Sequence, residues 1–278
     1  MHDGDEALRI QRMEIGSFSQ RRDGLIHRKV IPFAIVVQPT HGWYEVAGPR
    51  QTVRVNAGEI CVVAADTPVA FGHHQVQGEL RARWLHVQAT WRDLIDPVAL
   101  FRTPACVQGP GAKRIGGLLD ELLAADIDAT LPGRLRRIAL AYHVLAEALS
   151  RLPADPEADR VMAAASRLGP LLGWMRANLH RAIEVGHLAR VARVSRSRLH
   201  ALFAEHLRHT PMGMLMELRL AQAARLLLTT DDQLAVIAES TGFGDAFHFS
   251  RRFARRYGAS PRRYRREQGL KLGMEEVG

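Results

Sequence analysis

The sequence predicts an α+β chain of two domains, with a strand-rich N-terminal half and an all-helical C-terminal part. Three observations predict it: the chain has 278 residues, its apolar period changes from about 2 to about 3.6 near residue 111, and its positive charge is concentrated towards one end. The composition, 47% apolar and 24% charged, excludes a wholly disordered or collagen-like chain. No apolar run approaches about 18 residues and the first residues are polar, so we expect a cytoplasmic protein without a membrane span.

The first predicted domain, residues 1–110, has the pattern of an all-β barrel or sandwich. Short β-branched runs such as 31–37 and 52–55 are separated by Gly and Pro at intervals of about 8–12 residues. Pro39 and Gly42 follow the first run, so we expect that strand to end before them.

Two amphipathic helices are predicted next, at 112–126 and 133–150, within a helical element that spans 111–152. The sequence LPG at 131–133 indicates a break between them. The first apolar face comprises Ile115, Leu118, Leu119, Leu122 and Leu123, and the second comprises Leu135, Ile138, Ala139, Tyr142, Leu145, Ala146 and Leu149. Both faces must be buried, so the pair either packs onto the β-domain or forms a homodimer interface.

A linker is predicted at 153–166, because two prolines and three acidic residues lie within 153–159. The segment 160–270 carries 19 arginines against 8 acidic residues, so it is more basic than the whole chain, whose net charge is +9. Such a segment favours a polyanionic partner, above all nucleic acid, with a solvated basic surface as the alternative.

The C-terminal domain, predicted at 167–270, contains an internal repeat. Phe203 and Ala204 recur as Phe253 and Ala254, with an offset of 50 residues. Upstream the offset becomes 49, since Leu188 matches Ile237. A one-residue slip inside a turn is expected of a duplicated helix-turn-helix.

Each unit of the repeat is predicted to be a short helix, a tight turn and a longer helix. The first unit has helices at 185–193 and 196–208, with Ser195 as the N-cap of the second helix. In the second unit a helix at 233–241 precedes one that Asp245 caps and that ends at residue 257. Because this geometry lays a helix in the DNA major groove, two basic copies predict a double helix-turn-helix domain.

One helix is predicted between the two units, over Pro211–Thr229. Nineteen residues make a rod of roughly 28 Å, close to the distance of about 34 Å between successive major grooves on one face of DNA. We therefore expect this helix to hold two reading helices in adjacent grooves.

Residues 242–265 (GFGDAFHFSRRFARRYGASPRRYR) closely resemble the C-terminal signature of AraC/XylS-type transcription regulators, and residues 218–227 resemble the start of that family's connecting helix. The resemblance extends over 168–268. It implies a double helix-turn-helix that binds double-stranded promoter DNA, with RNA polymerase as a further partner if the protein is an activator. It also implies a cupin-like N-terminal β-barrel that binds a small effector, flanked by helices that form a homodimer.

The resemblance assigns DNA-contacting residues by position. Base contacts fall to Arg196, Ser197, His200 and Ala201 in the first reading helix and to Ala246, Phe247, His248, Ser250 and Arg251 in the second. Arg198, Arg252, Arg255 and Arg256 are assigned to phosphate contacts or to solvated charge. Arg193 stands where the family's first turn usually has glycine, so we expect the positive-φ position there to be strained or rearranged.

The candidate effector-binding residues of the N-terminal domain are His41, Trp43, His73, Trp84 and His86. Strand alternation puts Trp84 and His86 on one face, and an aromatic ring beside imidazole groups suits a sugar or another polar ring compound. The alternative is that Trp84 belongs to the core and that the histidines are structural.

Two other functions are open on the sequence alone. A cupin-type metalloenzyme with a basic helical tether needs closely spaced His and Glu ligands. His41 and Glu45 are four residues apart and no His-x-His occurs, so we predict no metal, no cofactor and no catalytic residue. The other alternative is a ligand-independent DNA-binding repressor whose barrel is structural.

Overall fold

A computed structural model of the chain describes residues 8–91, 95–126 and 128–269. These residues form two compact units, an N-terminal unit over 8–91 and 96–155 and a C-terminal unit over 156–269 together with Ile95. The boundary between residues 155 and 156 falls inside the predicted linker.

The N-terminal unit is built on antiparallel strands. They are β1 Leu8–Gln20, β2 Ile26–Lys29, β3 Ala34–His41, β4 Trp43–Ala47, β5 Thr52–Val55, β6 Ile60–Val63, β7 Val69–His74, β8 Leu80–Trp91 and β9 Ala105–Val107. One sheet has the order β1-β8-β3-β6-β9 and the other the order β2-β7-β4-β5. Each sheet therefore ends in strands with a single neighbour, so the N-terminal unit is not a closed barrel. The predicted α+β class with two domains is confirmed.

Strand β3 runs through Pro39 to His41, so the predicted end of this strand before Pro39 is also wrong. Proline lacks an N–H donor and is tolerated where one side of a strand has no partner. The pairing of β3 with β6 stops at Val37 and Cys61, and only the pairing with β8 continues past Pro39. Pro39 therefore lies where β3 has become an edge.

Two helices, α1 Gly109–Ala125 and α2 Leu131–Leu149, pack onto the five-stranded sheet and share one core with it. This is the first of the two predicted arrangements. The buried face of α1 matches the prediction at Ile115, Leu118, Leu119 and Leu122. That of α2 differs, because the helix buries Leu140, Ala141, Val144, Leu145 and Ala148.

The predicted break at 131–133 is instead the first turn of α2. The Thr130 hydroxyl accepts a hydrogen bond from the Gly133 N–H at 3.2 Å, and proline lies in the first turn, where its missing N–H costs nothing. Leu135 and Ile138, which were assigned to the buried face, are 58% and 40% exposed.

The C-terminal unit is all-helical. Its helices are α3 Ala158–Ala177, α4 Val185–Val191, α5 Arg196–Leu207, α6 Pro211–Thr229, α7 Leu234–Ser240, α8 Ala246–Tyr257 and α9 Pro261–Gly269. Since α3 begins at Ala158, the part of the predicted linker from 158 to 166 is helical, and only 153–157 precede the helix. Helix α6 buries Leu215, Leu220 and Leu227 and contacts the helices of both repeat units.

Candidate DNA interface and ligand cavity

The two repeat units have matching backbone turns. In the first, the Val194 N–H donates to the Ala189 carbonyl at 3.0 Å, and in the second the Phe243 N–H donates to the Ala238 carbonyl at 2.8 Å. Arg193, with φ +54°, corresponds to Gly242, with φ +80°. The two donors, the two acceptors and the two residues with positive φ are each 49 positions apart. The duplication and the positive φ predicted at Arg193 are therefore confirmed.

The offset becomes 50 at the caps of the reading helices α5 and α8. Ser195 accepts a hydrogen bond from the Arg198 N–H at 3.1 Å, while Asp245 accepts from the N–H groups of Phe247 and His248, each at 3.0 Å. These two hydrogen bonds are the main reason why the pKa of Asp245 is lowered. The slip therefore lies between residues 243 and 245, in the turn, as the sequence predicts.

Helix α5 presents a polar, basic surface. The predicted residues Arg196, Ser197, His200 and Ala201 are all exposed. Leu199 and Phe203 on the opposite face are fully buried in the core of the unit. The helix is thus anchored by one face and leaves the other open to a partner.

Helix α8 is anchored in the same way, by Phe249, Phe253 and Tyr257. Of its predicted contact residues Ala246, Phe247 and Arg251 are exposed, and His248 and Ser250 are partly buried. Phe247 is 69% exposed, and the Arg251 guanidinium lies 5.7 Å from the centre of its ring. Helix α8 thus exposes a large apolar ring beside a cationic side chain.

The exposed positions of the two reading helices correspond one to one. Ser197, His200 and Ala201 of α5 match Phe247, Ser250 and Arg251 of α8 at the offset of 50. Each set has the spacing i, i+3, i+4, which places its members on one helical face. The two units therefore offer the same face with different side chains: Ser, His and Ala in α5, and Phe, Ser and Arg in α8.

The four arginines assigned to phosphate contacts divide into two groups. Arg198 and Arg255 are exposed. Arg256 forms an ion pair with Glu217 of α6 at 2.9 Å, and Arg252 donates to the His248 imidazole at 3.3 Å. Since a guanidinium held by a carboxylate offers less charge to a phosphate, Arg256 is better described as a link between α8 and α6.

Other arginines of the basic segment support the fold. Arg219 donates to the carbonyls of Leu179 and Arg181 at 3.0 and 2.7 Å, and burial lowers its pKa. Arg265 donates to the carbonyls of Leu227 and Asp232 at 3.1 and 2.7 Å. Net charge alone cannot distinguish such internal arginines from those on the reading helices.

The two sheets of the N-terminal unit line a cavity with about 350 Å³ of empty space, open solvent included. Alternation along the strands supplies its walls: His27 and Lys29 from β2, Phe71 and His73 from β7, Trp84 and His86 from β8, Ile35 and Val37 from β3, Phe18 from β1 and Tyr44 from β4. Three of the five predicted effector residues thus share one cavity. The sequence reasoning missed His27, Lys29 and Tyr44, although period-2 alternation in the short strand β2 was an available signal.

The other two predicted effector residues lie outside this cavity. The His41 Nε2 is 2.7 Å from the Val76 carbonyl oxygen. The ring of Trp43 stacks on that of His74, with centroids 3.7 Å apart, beneath the Arg54 guanidinium at 4.0 Å. Trp43 precedes the cavity residue Tyr44 on β4, so alternation directs its side chain to the opposite face of the sheet.

Three buried polar atoms of β8 have no hydrogen-bond partner among the described residues. Two of them, the Trp84 Nε1 and the His86 Nδ1, belong to side chains that line the cavity and are 7% and 1% exposed, and the third is the Gln88 Oε1. Burial, and next the positive charge of Lys29, hold the pKa of His86 well below its ordinary value. The imidazole is therefore neutral at pH 7.

Within the described ranges no group of three or more His, Cys, Asp or Glu side chains is arranged to hold a metal ion. Among the helices of those ranges, none has both the length and the apolar character needed to cross a bilayer.

Comparison with known proteins bears on the C-terminal unit. Residues 188–267 match the family model described as a helix-turn-helix domain. The transcriptional activator RhaS of Escherichia fergusonii is 36% identical over 107 residues, 38% of each chain. The raffinose operon regulatory protein RafR of Pediococcus pentosaceus is 30% identical over 132 residues, 48% of this chain and 47% of RafR. The aligned part thus spans less than half of either relative.

A structural likeness covers both units. ToxT of Vibrio cholerae, solved with bound (E)-4-(8-methylnaphthalen-1-yl)but-3-enoic acid, superposes with a TM-score of 0.58 over 94% of this chain and 99% of its own, at 10% identity. At that identity the likeness concerns the fold alone.

The fold and the two exposed helices define a double helix-turn-helix domain. With the family match and the relatives, the resemblance inferred from the sequence is confirmed for the C-terminal unit, which is similar to the helix-turn-helix domains of such transcription regulators.

Proposed function

We propose that the protein is a sequence-specific transcription regulator that binds promoter DNA through α5 and α8 and responds to a small effector. The observation that carries the proposal is the duplicated unit, in which two capped helices expose equivalent faces on either side of α6. Free N–H groups at helix N-termini attract phosphates, and exposed Arg and His side chains reach base edges in the major groove.

Helix α6 supports the reading of two adjacent grooves. It contacts both α5 and α8, and its 19 residues correspond to roughly 28 Å. The ion pair of Glu217 with Arg256 ties α8 to this helix. One chain can then contact two half-motifs about one helical turn of DNA apart.

Control by an effector rests on the cavity between the sheets. A ligand can change DNA binding only if it binds one state of the protein more tightly than another. The cavity lies in the N-terminal unit, and two of its lining residues have polar atoms without a hydrogen-bond partner, so such a ligand can bind there. Action on promoters puts the protein in the cytoplasm and, for an activator, in contact with RNA polymerase.

A homodimer is supported by the exposed face of α2. Leu131, Leu135 and Ile138 are 70%, 58% and 40% exposed, and their spacing places them along one side of the helix. We expect Leu135→Lys to shift the full chain from dimer to monomer in analytical ultracentrifugation, with exposed Lys113→Met on α1 as the unaffected control. A wild-type chain that sediments as a monomer would remove the dimer from the proposal.

The decisive experiment selects DNA from a random pool with the full chain and measures binding of the consensus across salt concentrations. Neutralised phosphates predict a linear fall of log affinity with log salt, with a slope of about −0.9 per phosphate contact. Binding without any preferred sequence would contradict the proposal.

Arg251→Ala tests a single contact within that complex. If the guanidinium binds a base edge, the variant should lose about 1–3 kcal/mol on the consensus and little on a DNA altered at one base pair. Arg167→Ala, an exposed arginine of α3, removes the same charge outside the reading helices and should have a small effect. An equal loss on every sequence would reassign Arg251 to a phosphate.

A further inference from the structure

We propose that the cavity between the sheets binds a small organic acid with an apolar body, whose carboxylate is held by Lys29 and the Trp84 N–H. This inference rests on the proposed effector control and names the chemical class of the effector. It replaces the sugar expected from the sequence, for reasons of charge and wall chemistry.

Most of the cavity wall is apolar. Ile35 and Val37 of β3, Phe18 of β1 and Phe71 of β7 supply aliphatic and aromatic surface without a polar group. The body of a ligand that fits this wall is therefore apolar.

The polar part of the wall favours an anion. Among the described residues that line the cavity, Lys29 is the one with a permanent charge, and none is Asp or Glu. Its charge is felt within the cavity, because it contributes to the lowered pKa of buried His86. A cation would be repelled by this lysine, whereas a carboxylate would gain a charge-assisted hydrogen bond.

Two further polar groups belong to residues that line the cavity together with Lys29. The Trp84 Nε1 can only donate a hydrogen bond, and it has no acceptor within the protein. The neutral His86 imidazole carries a second partnerless nitrogen, and its ring centroid lies 4.3 Å from that of Trp84. A carboxylate has two acceptor oxygens, one for the Trp84 donor and one for Lys29.

A sugar fits this wall less well. Its hydroxyl groups project on all sides of the ring, and each buried hydroxyl needs a hydrogen-bond partner. Here the apolar residues line the larger part of the wall, so most hydroxyls would lose their hydrogen bonds to water without replacement.

The experiment measures ligand binding by isothermal titration of the full chain without DNA. The probes are 4-phenylbutyrate, its neutral amide 4-phenylbutanamide, and rhamnose. We expect the acid to bind at least about tenfold more tightly than the amide, and rhamnose to bind undetectably. Lys29→Met should lower the affinity for the acid about tenfold and leave that for the amide unchanged, whereas Lys113→Met should change neither.

Each result has a distinct meaning. Equal binding of acid and amide, or full affinity of Lys29→Met for the acid, overturns the inference but leaves effector control intact. Binding of rhamnose alone also overturns it and restores the sugar. No binding of any probe, in preparations that still bind the selected DNA, overturns the inference without affecting the DNA-binding proposal. Thermal unfolding of each variant verifies that the substituted chains are folded.

Discussion

At the scale of single residues, the same side-chain type serves different purposes according to its surroundings. Arg251 is exposed beside Phe247, Arg219 is used to bind two carbonyls, and Arg256 is paired with a glutamate. Trp43 and Trp84 differ likewise, because one stacks outside a sheet and the other lines a cavity. Residue identity and spacing locate such side chains on a strand or helix, but their partners come from elements distant in sequence.

Asp96 gives a residue-scale prediction about pH. Its carboxylate accepts hydrogen bonds from the N–H groups of Ala65 and Val98 at 2.7 and 3.0 Å. Burial nevertheless raises the pKa of Asp96 from 3.8 to about 6, with a smaller rise from Asp66. The folded state therefore binds this proton more tightly than the unfolded state does. The resulting stability is complete below pH 3.8 and is lost as the pH rises through about 6.

We expect the contribution of Asp96 to the free energy of unfolding to be about 1 kcal/mol larger at pH 5 than at pH 7.5. Urea denaturation at the two pH values measures it, and Asp96→Asn should abolish this part of the difference. Asp128→Asn is the control, since Asp128 is an exposed carboxyl whose pKa is lowered by its hydrogen bonds to Thr130. The same pH response in Asp96→Asn and wild type would contradict the prediction.

At the scale of elements, the repeat shows how one motif tolerates two sequences. In each unit, the turn between the two helices needs a residue with a positive φ. Glycine adopts this conformation freely and arginine does not. A Cβ on Gly242 would collide with the Leu179 carbonyl and the Arg219 guanidinium, so only glycine fits there. Arg193 is exposed and adopts φ +54° without glycine's freedom.

The two turns predict opposite responses to substitution. Arg193→Gly should raise the free energy of unfolding by roughly 0.5–1 kcal/mol, because it relieves the left-handed conformation. Gly242→Ala should lower it by more than about 1 kcal/mol, through strain and collision together. Arg193→Ala, which removes the same charge but keeps a Cβ, is the matched control and should give no gain. Urea denaturation followed by circular dichroism gives the three values.

Elements differed in how far the sequence could specify them. The reading helices, their caps and α6 were predicted within a residue or two, since caps and apolar periods are local signals. Strand β1 was missed because a register shift between Ile10 and Arg12 interrupts its period of 2. The buried face of α2 was misassigned because a helix with apolar residues on several sides shows its core face only once a neighbour is known.

At the scale of the whole molecule, the proposed function depends on two reading helices acting as one unit. If α6 fixes their separation, both half-motifs must lie on the same side of the DNA. Inserting about five base pairs between the half-motifs of the selected consensus rotates one by half a helical turn. Inserting about ten base pairs returns both half-motifs to the same side of the DNA. It also lengthens the distance between them by a full helical turn, which is more than α6 can span.

We therefore expect either insertion to reduce the affinity of the full chain to that for a single half-motif, measured by electrophoretic mobility shift. The insertion should lower the DNA affinity of the Arg251→Ala variant less than that of the wild type. In that variant the half-motif bound by α8 already contributes less to the affinity. Wild-type affinity that is insensitive to the spacing would mean that each helix binds alone or that two chains supply one helix each. The stoichiometry of the complex separates these cases, because a chain that binds with both α5 and α8 gives one chain per pair of half-motifs.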